Sequence, residues 1–155
     1  MGVELDNEEL DQFLNDGHTL ILATIRKSGE PFLTPIWYVY HDGAFFIRTP
    51  ARSAKVQHIK RDPRVCCLLE EGEKWIDLKA AVLSCHAEIE EDDETCKTIA
   101  RKFGAKYAEF TPNLKSTPKA TTEHYSSKTA TVKLTPRPAD IRSWFNRKIR
   151  FSKSQ

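Results

Sequence analysis

Two aromatic-rich extended segments, "PFLTPIWYVY" and "AFFIRT", flank the tripeptide His41-Asp42-Gly43. An Asp-Gly pair between β-branched and aromatic runs marks a tight hairpin turn. The first segment carries Pro35 in its interior. Proline has no amide hydrogen and is excluded from a fully paired central strand. The segment is therefore an edge strand or a bulged one. Its backbone groups near Pro35 and Trp37 are free to meet a planar ligand, or the proline simply guards an edge against aggregation.

The same signals recur along the chain. Residues 6–16 read as a short helix: Asp6 and Glu9 fit a capping box, Leu10, Phe13 and Leu14 form an apolar stripe, and Gly17 suits a C-cap. "HTLILATI" reads as a buried strand and "RKSGEP" as a turn. Residues 32–40 form the next strand, and "AFFIRT" the third. A one-face helix opens at Ser53, with Val56 and Ile59 turned inward. "RVCCLLE" is a fourth strand, Gly72 marks a turn, and "WIDLKAAVLSCHAEI" is mostly extended. Ile99, Phe103, Tyr107 and Phe110 recur at helical spacing behind an acidic start, with Gly104 weakening the middle. Residues 111–127, rich in Pro, Thr, Ser and Lys, read as a loop or flap. "TATVKLTP" is a last strand, "RPADIRSWFNRKI" continues it or runs irregularly, and the tail "RFSKSQ" frays.

About six strands joined mostly by hairpins, with few long crossovers, predict a mainly β fold with flanking helices: an antiparallel barrel rather than a doubly wound sheet. The 155 residues suit a single domain spanning 1–155. A net charge of +2 argues against a dedicated nucleic-acid binder. No apolar run approaches the length of a membrane helix, and the polar start is no signal peptide, so a cytoplasmic protein is expected. Cys66, Cys67, Cys85 and Cys96 form no CxxC pair. They read as buried reduced thiols, and no metal site is assigned. His18, His41, His58, His86 and His124 are scattered and suggest no catalytic set, so catalytic residues are left unassigned.

After "AFFIRT" the chain turns into the helix at Ser53, whose N-terminus presents free amide hydrogens. Thr49 and Ser53 add hydroxyls, and Arg52 and Lys55 add charge, so the segment resembles a phosphate cradle. An ordinary serine N-cap with solvated cations explains it equally.

Taken together, "LATIRKSGEPFLTPIWYVYHDGAFFIRTPARSAKVQHIKRDPRVCCLL" resembles the pyridoxamine 5'-phosphate oxidase-like, flavin-binding split β-barrel family. The family pattern is an "LAT" strand, a "TP.W" strand, a strand ending in Thr, a Ser-x-Lys helix and "RDPRV". "VKLTPRPADIRSW" resembles its closing strand. In "WIDLKAAVLSCHAEI", Cys85 and His86 replace the Gly and Arg usual there. The resemblance is strongest to the small flavin/deazaflavin reductase branch.

The resemblance implies a split-barrel homodimer with FMN or coenzyme F420 at the interface and a hydride passed between that ring and a small organic substrate. It assigns Thr34, Pro35, Ile36 and Trp37 to the ring. It assigns Thr49, Arg52, Ser53 and Lys55 to the phosphate, with His58 beside them where the deazaflavin branch often has Asn. The oxidase proper has Arg where Ala54 stands, and Arg52 is its substitute. Lys60, Arg61, Arg147, Lys148 and Arg150 either serve a polyanionic cofactor tail or form a solvated basic face. Alternative readings are a cofactor-binding or stress protein without turnover and a haem-handling barrel. Neither nucleic acid nor membrane is an implied partner.

Overall fold

A computed structural model describes residues 2–112, 118–126 and 128–150. Seven strands form one antiparallel sheet: β1 (Thr19–Ile25), β2 (Pro31–Trp37), β3 (Val39–His41), β4 (Ala44–Pro50), β5 (Arg64–Glu71), β6 (Lys79–Ile89) and β7 (Thr129–Phe145). Their order is β2-β1-β5-β6-β7-β4-β3. β2 also approaches β4 without being hydrogen-bonded to it, which leaves the barrel split along that seam. The helices are α1 (Asn7–Asp16), α2 (Ala54–Arg61), α3 (Asp93–Tyr107) and α4 (Lys119–Ser126). Among the described residues no helix is long and apolar enough to cross a membrane.

Local chemistry explains most element boundaries. The Asp6 carboxylate accepts from the Glu9 amide, and Glu9 accepts from the Asp6 amide, completing the capping box of α1. Ser53 caps α2, and Asp92 caps α3. Asp42 and Gly43 both take positive φ, 49° and 73°, as a two-residue hairpin turn requires.

The structure differs from the sequence reading at several points. Residues 31–41 are two strands rather than one, interrupted at Tyr38, so the count is seven. Gly17 is the C-cap of α1 as expected, its amide donating to the Phe13 carbonyl, with φ −58° and ψ 144°. Its role is space: a Cβ there would lie 2.3 Å from the Tyr38 hydroxyl and 2.5 Å from Leu69 Cδ2. Part of the expected 111–127 loop is helix α4, while residues 113–117 and 127 lie outside the described residues, as do residues 151–155 of the expected frayed tail. β7 runs unbroken through Pro136 and Pro138, which sit where its register with β6 shifts between Leu83 and Cys85. A bulge relieves the ladder of the amides that proline lacks.

Alternation sorts the sheet into two faces. Leu20, Leu22, Val65, Cys67, Leu69, Ala81, Leu83 and Cys85 face the core, joined there by Phe13 and Leu14 of α1 and Val56 and Ile59 of α2. A smaller cluster packs Ile99 of α3 on Val39, Ala44 and Phe46. The outward face of β1, β2, β5 and β6 carries apolar rows. Register aligns Pro35, Ile21, Leu68 and Val82 in one row and Leu33, Ala23, Cys66 and Ser84 in the next. Leu33 is 60% exposed. The core residues of α1 and α2 lie on the other side of the sheet, and α3 reaches the outward face at Trp37.

Candidate functional site

β2 is an edge strand, as Pro35 requires. Pro31 and Pro35 share parity along it, so their nitrogens face the same side. The continuous ladder with β1 puts that side at the open edge. Alternation divides the expected ring residues. Thr34 and Ile36 share the core-ward face with Phe32, opposite Leu22, Leu20 and Thr24 of β1. Pro35 and Trp37 lie on the outward face. The Trp37 indole is stacked on Tyr107, with ring centroids 4.4 Å apart and planes 4° from parallel. His18 meets both rings edge-on. The indole thus already has a partner in α3.

Thr34 carries the one buried side-chain polar atom among the described residues that lacks a hydrogen bond, its Oγ1. A buried hydroxyl without a partner costs on the order of 1–3 kcal/mol.

The second group is assembled at the start of α2. Thr49 is buried at the end of β4, and its hydroxyl donates to Ser53 Oγ at 3.3 Å. Ser53 Oγ in turn accepts from the Val56 amide at 3.4 Å. Lys55 follows, half-buried, and burial pulls its ammonium below the usual lysine range. Among the described residues no carboxylate forms an ion pair with it. Arg52 is exposed on the turn before the helix.

His58, one turn beyond Lys55, reaches β1 and β2. Its Nδ1 is 2.8 Å from Thr24 Oγ1, and its ring meets Phe32 edge-on at 5.3 Å. The Arg26 guanidinium lies over the other ring of that pair, 5.0 Å from the Phe32 centroid. Partial burial, with Arg61, Arg26 and Lys55 nearby, holds the imidazole below its ordinary range. Thr24, Arg26 and Phe32 were not among the residues expected from sequence. Their signal was the parity that puts Thr24 and Phe32 opposite each other on one face.

Two of the expected tail cations are engaged elsewhere. Arg147 Nε donates to Asp77 at 2.7 Å, and Lys148 pairs with Glu9 and donates to the Glu4 carbonyl at 2.9 Å. They tie the end of β7 to α1 and to the turn at Trp75–Asp77. A cavity of about 360 Å³ lined by Phe13, Asp16, His18, Glu70 and Glu71 among others contains none of the expected cofactor residues.

Comparison with known proteins places this arrangement. A conserved hypothetical protein of Mycobacterium tuberculosis superposes with a TM-score of 0.80 at 29% identity, covering 99% of this chain and 95% of that one. An FAD-binding protein of Mesorhizobium loti superposes at 0.68 with 15% identity, covering 90% and 94%. The haem storage protein of Vibrio cholerae gives 0.68 at 16% identity, covering 91% and 97%. At such identities the last two show the shared fold. No match is found among curated proteins. The family description for pyridoxamine 5'-phosphate oxidase matches residues 6–142, and with the split sheet and its β2 seam this chain belongs to that family.

Proposed function

We propose that the protein is a flavin- or deazaflavin-dependent oxidoreductase, working as a homodimer with FMN or coenzyme F420 at the seam between β2 and the start of α2. The observation that carries this reading is Lys55: a half-buried ammonium with no acidic partner among the described residues, beside two hydroxyls at a helix N-terminus. A desolvated cation in that setting calls for an anion.

In this reading Thr49 and Ser53 turn their hydroxyl hydrogens to a phosphate, and the first amides of α2 add donors. Lys55 neutralises the charge and Arg52 closes the exposed side. Thr34 Oγ1 gains the polar partner it lacks, from a heteroatom at the edge of the ring. Pro35, Ile36 and Trp37 shape the strand edge against which the ring lies. The bound ring would supply hydride transfer, and the chain supplies position and electrostatics. The apolar rows of β1, β2, β5 and β6 offer the surface on which a second copy closes the open seam.

The test is titration of FMN and of F420 into wild type and the Ser53→Ala/Lys55→Ala double variant. Loss of a charge-assisted contact is worth about 1.5–3 kcal/mol, so affinity should fall roughly ten- to hundredfold, while loss of the Ser53 cap, worth about 0.5–2 kcal/mol, lowers the melting temperature without unfolding the protein. Equal affinity in the two proteins would refute the cradle. Turnover of reduced cofactor by the wild type then separates an enzyme from a carrier.

A further inference from the structure

His58 sits at a junction that the cradle alone does not require. Its Nδ1 is held by Thr24, whose side chain is buried and has His58 as its partner. Phe32 from β2 packs on the imidazole edge, and Arg26 caps Phe32 in turn. The charged groups facing it are Arg26 from the end of β1 and Lys55 and Arg61 from α2, and no carboxylate stands among them. From β2, Phe32 meets its ring edge-on. Around the imidazole, these are positive charges with no counter-charge among the described residues.

The Thr24 hydroxyl both donates and accepts. With neutral His58 it gives its hydrogen to Nδ1. With the imidazolium it turns and accepts from Nδ1–H. The bond therefore survives a change of protonation, and the ring need not move to take a proton. What opposes the proton is first burial and then the positive charge of Arg61, Arg26 and Lys55, and it is this second part that an anion bound at Lys55 would offset.

We propose that the Thr24–His58 pair is a proton-coupling element of the anion site: entry of a phosphate-like dianion beside Lys55 and Ser53 draws a proton onto His58, so that ligand binding and proton uptake occur together. The proposal rests on the cradle assigned above but not on the identity of the ring. It makes His58 a positioning residue that sets the pH range of ligand affinity. The sign follows from linkage. An anion that raises the His58 pKa binds more tightly at lower pH, by up to about tenfold per unit of pKa difference between free and bound protein.

The experiment is a proton NMR titration of the His58 imidazole between pH 5 and 9, assigned by its loss in His58→Gln. It compares sodium sulfate, whose charge is constant over that range, with sodium chloride at equal ionic strength. Sulfate should move the His58 midpoint up by about one pH unit, and Lys55→Gln should abolish the movement. No movement in wild type, or an equal movement in Lys55→Gln, overturns the coupling. An FMN titration runs beside it. A sulfate effect without FMN binding supports the coupling and sinks the flavin reading. FMN binding with a fixed His58 midpoint does the reverse.

Discussion

The phenol oxygen of Tyr107 lies 2.9 Å from the backbone nitrogen of Tyr38, a residue 69 positions earlier in the chain. It also lies 2.7 Å from the His18 carbonyl and 2.8 Å from the Tyr38 carbonyl. One phenol has a single hydrogen to give. The Tyr38 carbonyl is separately served by Lys106 Nζ at 3.0 Å, so Tyr107 can accept from the Tyr38 amide and donate to His18. Two side chains of α3 thus satisfy the main-chain groups that the break between β2 and β3 leaves unpaired.

Tyr107→Phe should therefore destabilise the fold while keeping the stack on Trp37. The buried Tyr38 amide would lose its acceptor, at a cost of about 1–3 kcal/mol. Urea unfolding with an unchanged slope and a lower midpoint is the expected result. A midpoint equal to that of wild type would mean that another acceptor replaces the phenol.

Lys106 gives the stability a pH signature. Burial pulls its pKa down to about 8, against 10.5 for a free lysine, despite the ring of Tyr38 beneath it at 3.9 Å. Between those values the unfolded chain holds a proton that the folded chain has released, so stability rises with pH. Burial raises Tyr107 to about 12, which works in the opposite direction above the free tyrosine value of 10.0. Wild type should gain on Lys106→Met between pH 8 and pH 9.5, because the tyrosines are common to both proteins. Parallel stability curves across that window would contradict the shift.

Gly17→Ala should be harmful although its backbone angles suit any residue. At a compatible site this change usually adds about 0.4–1 kcal/mol. Here the new methyl would press on the Tyr38 hydroxyl and on Leu69, both buried. The hydroxyl is itself fixed by donating to the Leu14 carbonyl at 2.6 Å. A net loss of about 1–3 kcal/mol is expected from overpacking, read as a lower thermal midpoint. A higher midpoint would show that Tyr38 yields.

Leu33→Asp tests the homodimer. Leu33 is exposed in the single chain, so monomer stability should barely change. If the outward rows meet a second copy, a buried unpaired carboxylate should drive sedimentation toward monomer. A dimer of undiminished affinity would move the interface elsewhere.

The elements fixed by near neighbours were legible in the sequence. Asp6 with Glu9, Asp42 with Gly43, and Ser53 ahead of Val56 and Ile59 each act within a few residues. The break at Tyr38 was not legible, since its cause is Tyr107 and Lys106 far along the chain. Gly17 was readable as the C-cap of α1, but its close approach to Tyr38 and Leu69 was not, because it depends on distant parts of the chain. Helix α4 lies in a stretch whose Pro, Thr and Ser content favours loops. At the site, the order of Thr49, Ser53 and Lys55 was readable. That Trp37 faces away from Thr34, and that Thr24, Arg26 and Phe32 gather at His58, depends on which strands pair.

The place of β7 bears on how such a chain is made. It lies between β6 and β4, and the β3–β4 hairpin joins the sheet only through it. During synthesis the hairpin emerges long before its partner, across the whole span of β5, β6 and α3. Until residues 129–145 leave the ribosome, Phe45 and Ile47 have no ladder to join on that side. Until then the nascent chain carries an unpaired, aromatic strand edge of the kind that exposes apolar surface to its neighbours.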